Sequence, residues 1–239
     1  MNKYVLLAFL SYITAQAIFT AYFFVKGKNL SKITYTGKFT IGNKKNPKIK
    51  LYFSGDSVAA GVGATSKEES VAYKVAKSLS KNYYVILSNN AVSGFKVNDI
   101  TKQKLEDNQD IIVLIISSND LFYFTNIGNF KSQVQKMIEL YRKKSKKLIV
   151  LGPLRVDTAT SIPFFLRPIY YYDGFKYLKI LENACSKFPN VFHTSSYYLK
   201  SIAKYGKIEG IDRFHPSNSG HSLYADMILN LINEHSFIQ

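Results

Sequence analysis

A chain of 239 residues with 46% hydrophobic content is long enough for one α/β domain and too apolar for a disordered polypeptide. Its single cysteine, Cys185, excludes an internal disulfide and a thiolate metal cluster, and its place in a helical pattern reads as a small buried apolar residue. The net charge of +16 is mostly lysine; Arg142, Arg155, Arg167 and Arg213 are the only arginines, and no basic helix or basic–aromatic alternation accompanies them, so no nucleic-acid partner is expected.

The first element is a run from Tyr4 to Val25, 22 residues without a charge, bracketed by Lys3 and Lys26. At about 1.5 Å per residue it spans a hydrocarbon core of about 30 Å, and Tyr22 suits an interfacial anchor. Ala15-Gln16-Ala17 has the form of a signal-peptidase site, but the apolar run continues for eight residues beyond it, which favours an uncleaved anchor. The lysines that follow the run would hold the rest of the chain in the cytoplasm by the positive-inside rule. Long domains translocate regardless of charge, so the rule leaves orientation open. The expectation is a single-pass inner-membrane anchor at residues 1–25, with the remaining chain on the extracytoplasmic, periplasmic side. Residues 26–48 are basic and rich in Gly, Thr and Asn, and read as a juxtamembrane linker suited to anionic lipid.

From residue 49 to 239 the pattern is that of a single domain in which strands and helices alternate. Ile49–Phe53 reads as a buried strand, and Val71, Ala72, Val75, Ala76 and Leu79 mark one helix face. Tyr83–Leu87 is a second strand, followed by a polar turn ending at Gly94 and a short helix near 97–106. Ile111 to Ile116 is continuously apolar, as in a parallel strand covered on both faces. Phe130, Val134, Met137, Ile138 and Tyr141 define the next helix, and Lys147–Leu151 a fourth strand stopped by Gly152-Pro153. An aromatic connection from Ile162 to Tyr172 leads to a helix near 174–186, a fifth strand at Val191–Thr194 and a last helix after Pro216. The expected architecture is a five-stranded parallel sheet with helices on both faces and right-handed crossovers.

In such a sheet ligands bind at the carboxyl ends of the strands, and the chemistry-bearing residues fall there. Ser57, in Gly55-Asp56-Ser57, follows the first strand, Gly94 the second and Asn119 the third. Asp212-x-x-His215 precedes the last helix. A serine hydroxyl becomes a nucleophile when a base takes its proton, and histidine suits that task near neutral pH. A carboxylate one turn away holds the ring in the required tautomer. The Ser57 and Gly94 amides and the Asn119 side chain are the donors available to a developing oxyanion. Of the other histidines, His193 at a strand end and His221 in the last helix have a structural role as their default, and His235 lies near a terminus. No metal-ligand spacing is present, and neither a metal nor an organic cofactor is expected.

The ordered blocks Gly55-Asp56-Ser57, Gly94, Asn119-Asp120 and Asp212-x-x-His215-Pro216 resemble those of the SGNH/GDSL hydrolase superfamily over residues 49 to 234. Ala59 to Gly63, Ala-Ala-Gly-Val-Gly, looks like the continuation of the first block in its bacterial membrane-anchored members. The resemblance implies a three-layer α/β/α flavodoxin-like fold and ester hydrolysis through an acyl-serine. Carried onto this chain it implies Ser57 as nucleophile and first oxyanion donor, Gly94 and Asn119 as further donors, His215 as base and Asp212 as its orienting acid. Ser117 stands where the third block usually has glycine, and being small it is expected to leave Asn119 within reach of the site. The expected substrate is a lipid, lysolipid or acylated-glycan ester, with Phe164, Phe165 and Tyr170 to Tyr172 as lining for an acyl pocket or as a bilayer contact. Two alternatives use the same residues: acyl transfer to an alcohol, and a catalytically weak binding protein on the same fold.

Overall fold

The computed structural model describes residues 3–199 and 205–237. The outermost residues of the expected anchor and domain, 1–2 and 238–239, lie outside the described residues. Helix α1 runs from Lys3 to Leu30, and β1 from Gly37 to Ile41. The domain continues with β2 (Lys48–Gly55), α2 (Val71–Leu79), β3 (Tyr84–Asn89), α3 (Val97–Ile100) and β4 (Gln109–Ile115). Then come α4 (Ser118–Phe122), α5 (Ile127–Arg142), β5 (Ser145–Leu151), α6 (Arg167–Cys185), β6 (Val191–Thr194) and α7 (Asn218–Glu234).

The sheet has six strands in the order β1-β3-β2-β4-β5-β6. Five of them, β2 to β6, are parallel, as the sequence predicts. Alternate residues of each strand serve opposite layers, as the two-residue period requires. Leu51, Phe53, Ile111, Val113 and Ile115 pack with α2 and α7, whereas Tyr52, Ile112, Leu114 and Val150 pack with α5 and α6. The result is an α/β/α sandwich. The chain turns one way from β2 to β3 and the other way to β4, so the crevice of such a sheet lies beyond the carboxyl ends of β2 and β4.

Three expectations need correction. The sheet is mixed, not wholly parallel: residues 26–48, expected to be a linker, contain β1, which pairs antiparallel with β3 from Gly37↔Asn89 to Ile41↔Val85. Ile41 is buried and Lys38 exposed, so β1 contributes to the core while placing a lysine on the sheet edge, where it discourages pairing with another chain. Helix α1 extends to Leu30, past the expected end at Val25. The connection expected from Ile162 to Tyr172 is already helical from Arg167, because Pro168 falls in the first turn, where its missing N–H has no partner to lose.

Candidate active site

Strand β2 ends in a tight loop that buries Asp56 completely and leaves Ser57 barely exposed. The Asp56 amide donates to the Ile115 carbonyl at 3.0 Å, and its Oδ1 accepts from the Val58 amide at 2.9 Å. Burial pushes the Asp56 carboxyl up to about 6, with the Val58 amide opposing the rise. The loop is locked to its neighbours: Asn89 Nδ2 donates to the Ala59 carbonyl at 2.8 Å, and the Tyr35 amide donates to the Ala60 carbonyl at 2.8 Å. Gly63, at φ +93°, lies so close to the last motif block that a Cβ there would stand 2.1 Å from the Pro216 carbonyl oxygen. A side chain at 63 is therefore incompatible with the contact between the loop of Ser57 and the loop of His215.

The second and third blocks are joined in the same way. Gly94 has φ +88°, and nothing lies within 4 Å of the place a Cβ would take, so its backbone faces open space. Asn119 Nδ2 donates to the carbonyl of the next residue, Phe95, at 2.9 Å. Asp120 is fully buried and accepts from the Val97 amide at 2.9 Å; burial raises its pKa, which that amide opposes. Ser117 adopts φ +81°, the left-handed conformation a glycine takes most easily, and Asn119 beyond it lines the same cavities as Ser57 and His215.

His215 Nδ1 lies 2.6 Å from Asp212 Oδ2. Asp212 Oδ1 accepts from the Phe214 and His215 amides at 3.1 and 3.0 Å, so the one carboxylate shapes its own turn as well as holding the ring. Burial pushes the Asp212 carboxyl up, but the His215 ring and these two amides outweigh it, and the group ends below the ordinary carboxylate value. An ionised carboxylate can only accept, so Nδ1 carries a hydrogen, and in the neutral ring that leaves the lone pair on Nε2.

Ser57, Asn119 and His215 line two cavities. One, of about 250 Å³, has a mixed lining in which Thr158, Lys207 and Glu209 stand beside Leu154, Val156 and Ile208. The other, of about 500 Å³, adds Gly94 and is walled by aromatic and aliphatic side chains including Phe122, Ile162 and Leu166. Asp212 stands behind His215, fully buried. All five residues singled out in the sequence thus come to one place, at the carboxyl ends of β2 and β4. His193 does not: its Nε2 lies 2.6 Å from the Gly152 carbonyl oxygen. His221 is wholly buried, with Nε2 3.0 Å from the Val62 carbonyl oxygen, and burial lowers its pKa to about 4. Among the described residues no group of three or more His, Cys, Asp or Glu is placed to hold a metal ion.

Sequence reasoning missed one contributor altogether. Helix α1 reaches the site: Phe23 and Gly27 are its buried residues, and both line the larger cavity. The sequence carries one faint signal of this, a glycine between Lys26 and Lys28 just past the apolar run.

A mixed sheet between two helical layers, with Ser57 and the carboxylate-held His215 at its carboxyl edge, is an arrangement suited to ester hydrolysis. The chain belongs to the GDSL-like lipase/acylhydrolase family, whose model matches residues 53–223, and it is an ester-bond hydrolase. Similar solved structures agree on the fold. A point mutant of Axe2, an acetyl-xylooligosaccharide esterase from Geobacillus stearothermophilus, is 18% identical over 80% of this chain and 96% of its own, with TM-score 0.58. A member of the lipolytic G-D-S-L family from Veillonella parvula is 17% identical over 77% of this chain and 98% of its own, with TM-score 0.60. A two-domain esterase active on acetylated mannans is 16% identical over 79% of this chain and 49% of its own, with TM-score 0.57. No curated protein matches the sequence.

Proposed function

We propose that the chain is a membrane-anchored esterase that cleaves a carboxylic ester through an acyl-serine at Ser57. His215 Nε2 takes the Ser57 proton as the hydroxyl oxygen attacks the ester carbonyl. The oxyanion is held by the Ser57 and Gly94 amides and by Asn119 Nδ2, which has a second hydrogen beside the one given to Phe95. His215 then protonates the leaving alcohol, and water repeats the sequence to free the acid and restore Ser57. The observation that carries this reading is the 2.6 Å Asp212–His215 pair on a wall shared with Ser57. Helix α1, long and apolar enough to cross a bilayer, is the anchor, and the domain lies on its extracytoplasmic side.

The test is labelling by a fluorophosphonate probe together with hydrolysis of p-nitrophenyl acetate. The parent chain is expected to label and turn over, and Ser57→Ala to do neither. Equal activity in the variant would remove Ser57 from the mechanism. A reporter fused at the C-terminus tests the side of the membrane.

The smaller cavity beside His215, with Thr158, Lys207 and Glu209 in its lining, favours a second reading, acyl transfer. A bound alcohol there, in place of water, would accept the acyl group through the same residues. Product analysis with added glycerol or glycan separates the two.

A further inference from the structure

Helix α1 grips the catalytic domain with one face. Thr20 Oγ1 donates to the Ser161 carbonyl at 3.3 Å, and the Arg213 guanidinium lies over the rings of Phe19 and Phe23 at 5.2 and 4.7 Å. A Cβ on Gly27 would stand 3.0 Å from Asp212 Oδ2, so the helix backbone passes directly over the carboxylate that holds His215. The opposite face, with Leu7, Ile18, Tyr22 and Val25, is exposed and apolar. Water is a poor medium for that face and lipid a good one.

The space between α1 and Ser57 is the cavity of about 500 Å³. That is the size of a small-molecule site, and its lining is mostly apolar. Ser57 and His215 are among its lining residues. Phe24, Lys28 and Tyr123 line it and are exposed, so they form its rim. Beyond it the apolar surface continues: the rings of Tyr12 and Phe164 meet at 5.8 Å, and Phe164 and Phe165 are exposed.

We propose that this cavity takes the acyl chain of an ester drawn from a lipid layer, with α1 serving as a wall of the active site as well as an anchor. The inference rests on Ser57 being the nucleophile. A chain entering past Phe24 lies against Phe23, Ile162 and Leu166 and brings its carbonyl carbon to Ser57. Lys28 at the rim puts a cation where the headgroup of an anionic lipid would stand.

The experiment uses the full chain in vesicles of phosphatidylcholine and phosphatidylglycerol, with p-nitrophenyl acetate, butyrate, octanoate and laurate as probes. Each buried methylene is worth about fourfold in kcat/KM until the cavity is filled, so octanoate is expected to exceed acetate by at least two orders of magnitude. Leu166→Trp fills the cavity and is expected to lower the octanoate-to-acetate ratio at least tenfold. Gly27→Leu is expected to abolish turnover of every ester, and Ala21→Leu, on the outer face of α1, to behave as the parent. A flat or falling chain-length profile in the parent, or normal turnover by Gly27→Leu, overturns the inference and leaves the Ser57 mechanism standing. Absence of both turnover and fluorophosphonate labelling means instead that the Ser57 mechanism itself has failed.

Discussion

Asn119 Nδ2 donates to the carbonyl of Phe95 at 2.9 Å, so the side chain after β4 fixes the loop that presents Gly94. Two of the three proposed oxyanion donors therefore move as one unit. Asn119→Ala removes a donor and also frees the Gly94 loop. The expected result is a loss of kcat on p-nitrophenyl acetate on the order of 100- to 1,000-fold, with a smaller change in KM. Circular dichroism is expected to match the parent, because Asn119 lies at the cavity wall and outside the core.

The Asp212 carboxylate accepts on both oxygens, from its own turn and from the His215 ring. Asp212→Asn can keep the amide contacts through Oδ1. Its NH₂ group then faces Nδ1, which favours the tautomer with hydrogen on Nε2 and removes the base. A fall in kcat of roughly 10³- to 10⁴-fold is expected, with the fold retained. Kinetics beside a thermal melt check both halves of that statement.

Ser117 has φ +81° and a buried Oγ with no hydrogen-bond partner among the described residues. A left-handed conformation costs a non-glycine residue about 1–2 kcal/mol, and a glycine loses about 0.5–1 kcal/mol more conformational entropy on folding. Ser117→Gly is therefore expected to stabilise the domain by about 1 kcal/mol, raising Tm by about 2–4 °C. A melting curve that falls instead would mean the hydroxyl contributes more than its geometry indicates.

Two buried groups give opposite dependences of stability on pH. His221 is held neutral, with its pKa lowered to about 4 by burial, so its contribution is complete above the ordinary value of 6.5 and is lost as pH falls from there to 4. Asp56 is raised from 3.8 to about 6 by burial, so its ionisation weakens the fold as pH rises through that window. Each is worth about 3 kcal/mol at ~1.36 kcal/mol per pH unit, and in the parent they largely offset one another. Thermal unfolding at roughly pH 4.5 and 7.5 separates them. Relative to the parent, Asp56→Asn is expected to lose stability on acidification and His221→Gln to gain it.

The motif blocks were legible because each is local: a strand, a turn, then one polar residue at a fixed offset, as at Ser57 and Asn119. The parallel core was legible for the same reason, since Ile111 to Ile116 is an unbroken apolar run covered by helices on both faces. What escaped depends on contacts remote in sequence. Helix α1 is apolar all round, so no stripe betrays the face that meets the domain; the meeting is written in Gly27, whose small size matters only beside Asp212. Strand β1 is short and set among lysines, and only its pairing with Val85 to Asn89 makes it a strand. Tyr170 to Tyr172 read as a connection because their aromatic run shows no helical period, whereas Pro168 lies in the first turn of a helix that starts at Arg167. His221 is buried because the Gly63 loop closes over the start of α7, which no pattern in α7 reveals.

The segment between Leu30 and Gly37 is short, and its Tyr35 is already bonded to Ala60 in the loop of the nucleophile. The hinge therefore has no slack. With α1 held in a lipid layer, Ser57 sits at a fixed height and cannot swing outward on a leash. For the lipid ester proposed above, encounters would then be a two-dimensional search by lateral diffusion, in which turnover would follow the surface density of the ester in the layer rather than its concentration in bulk water.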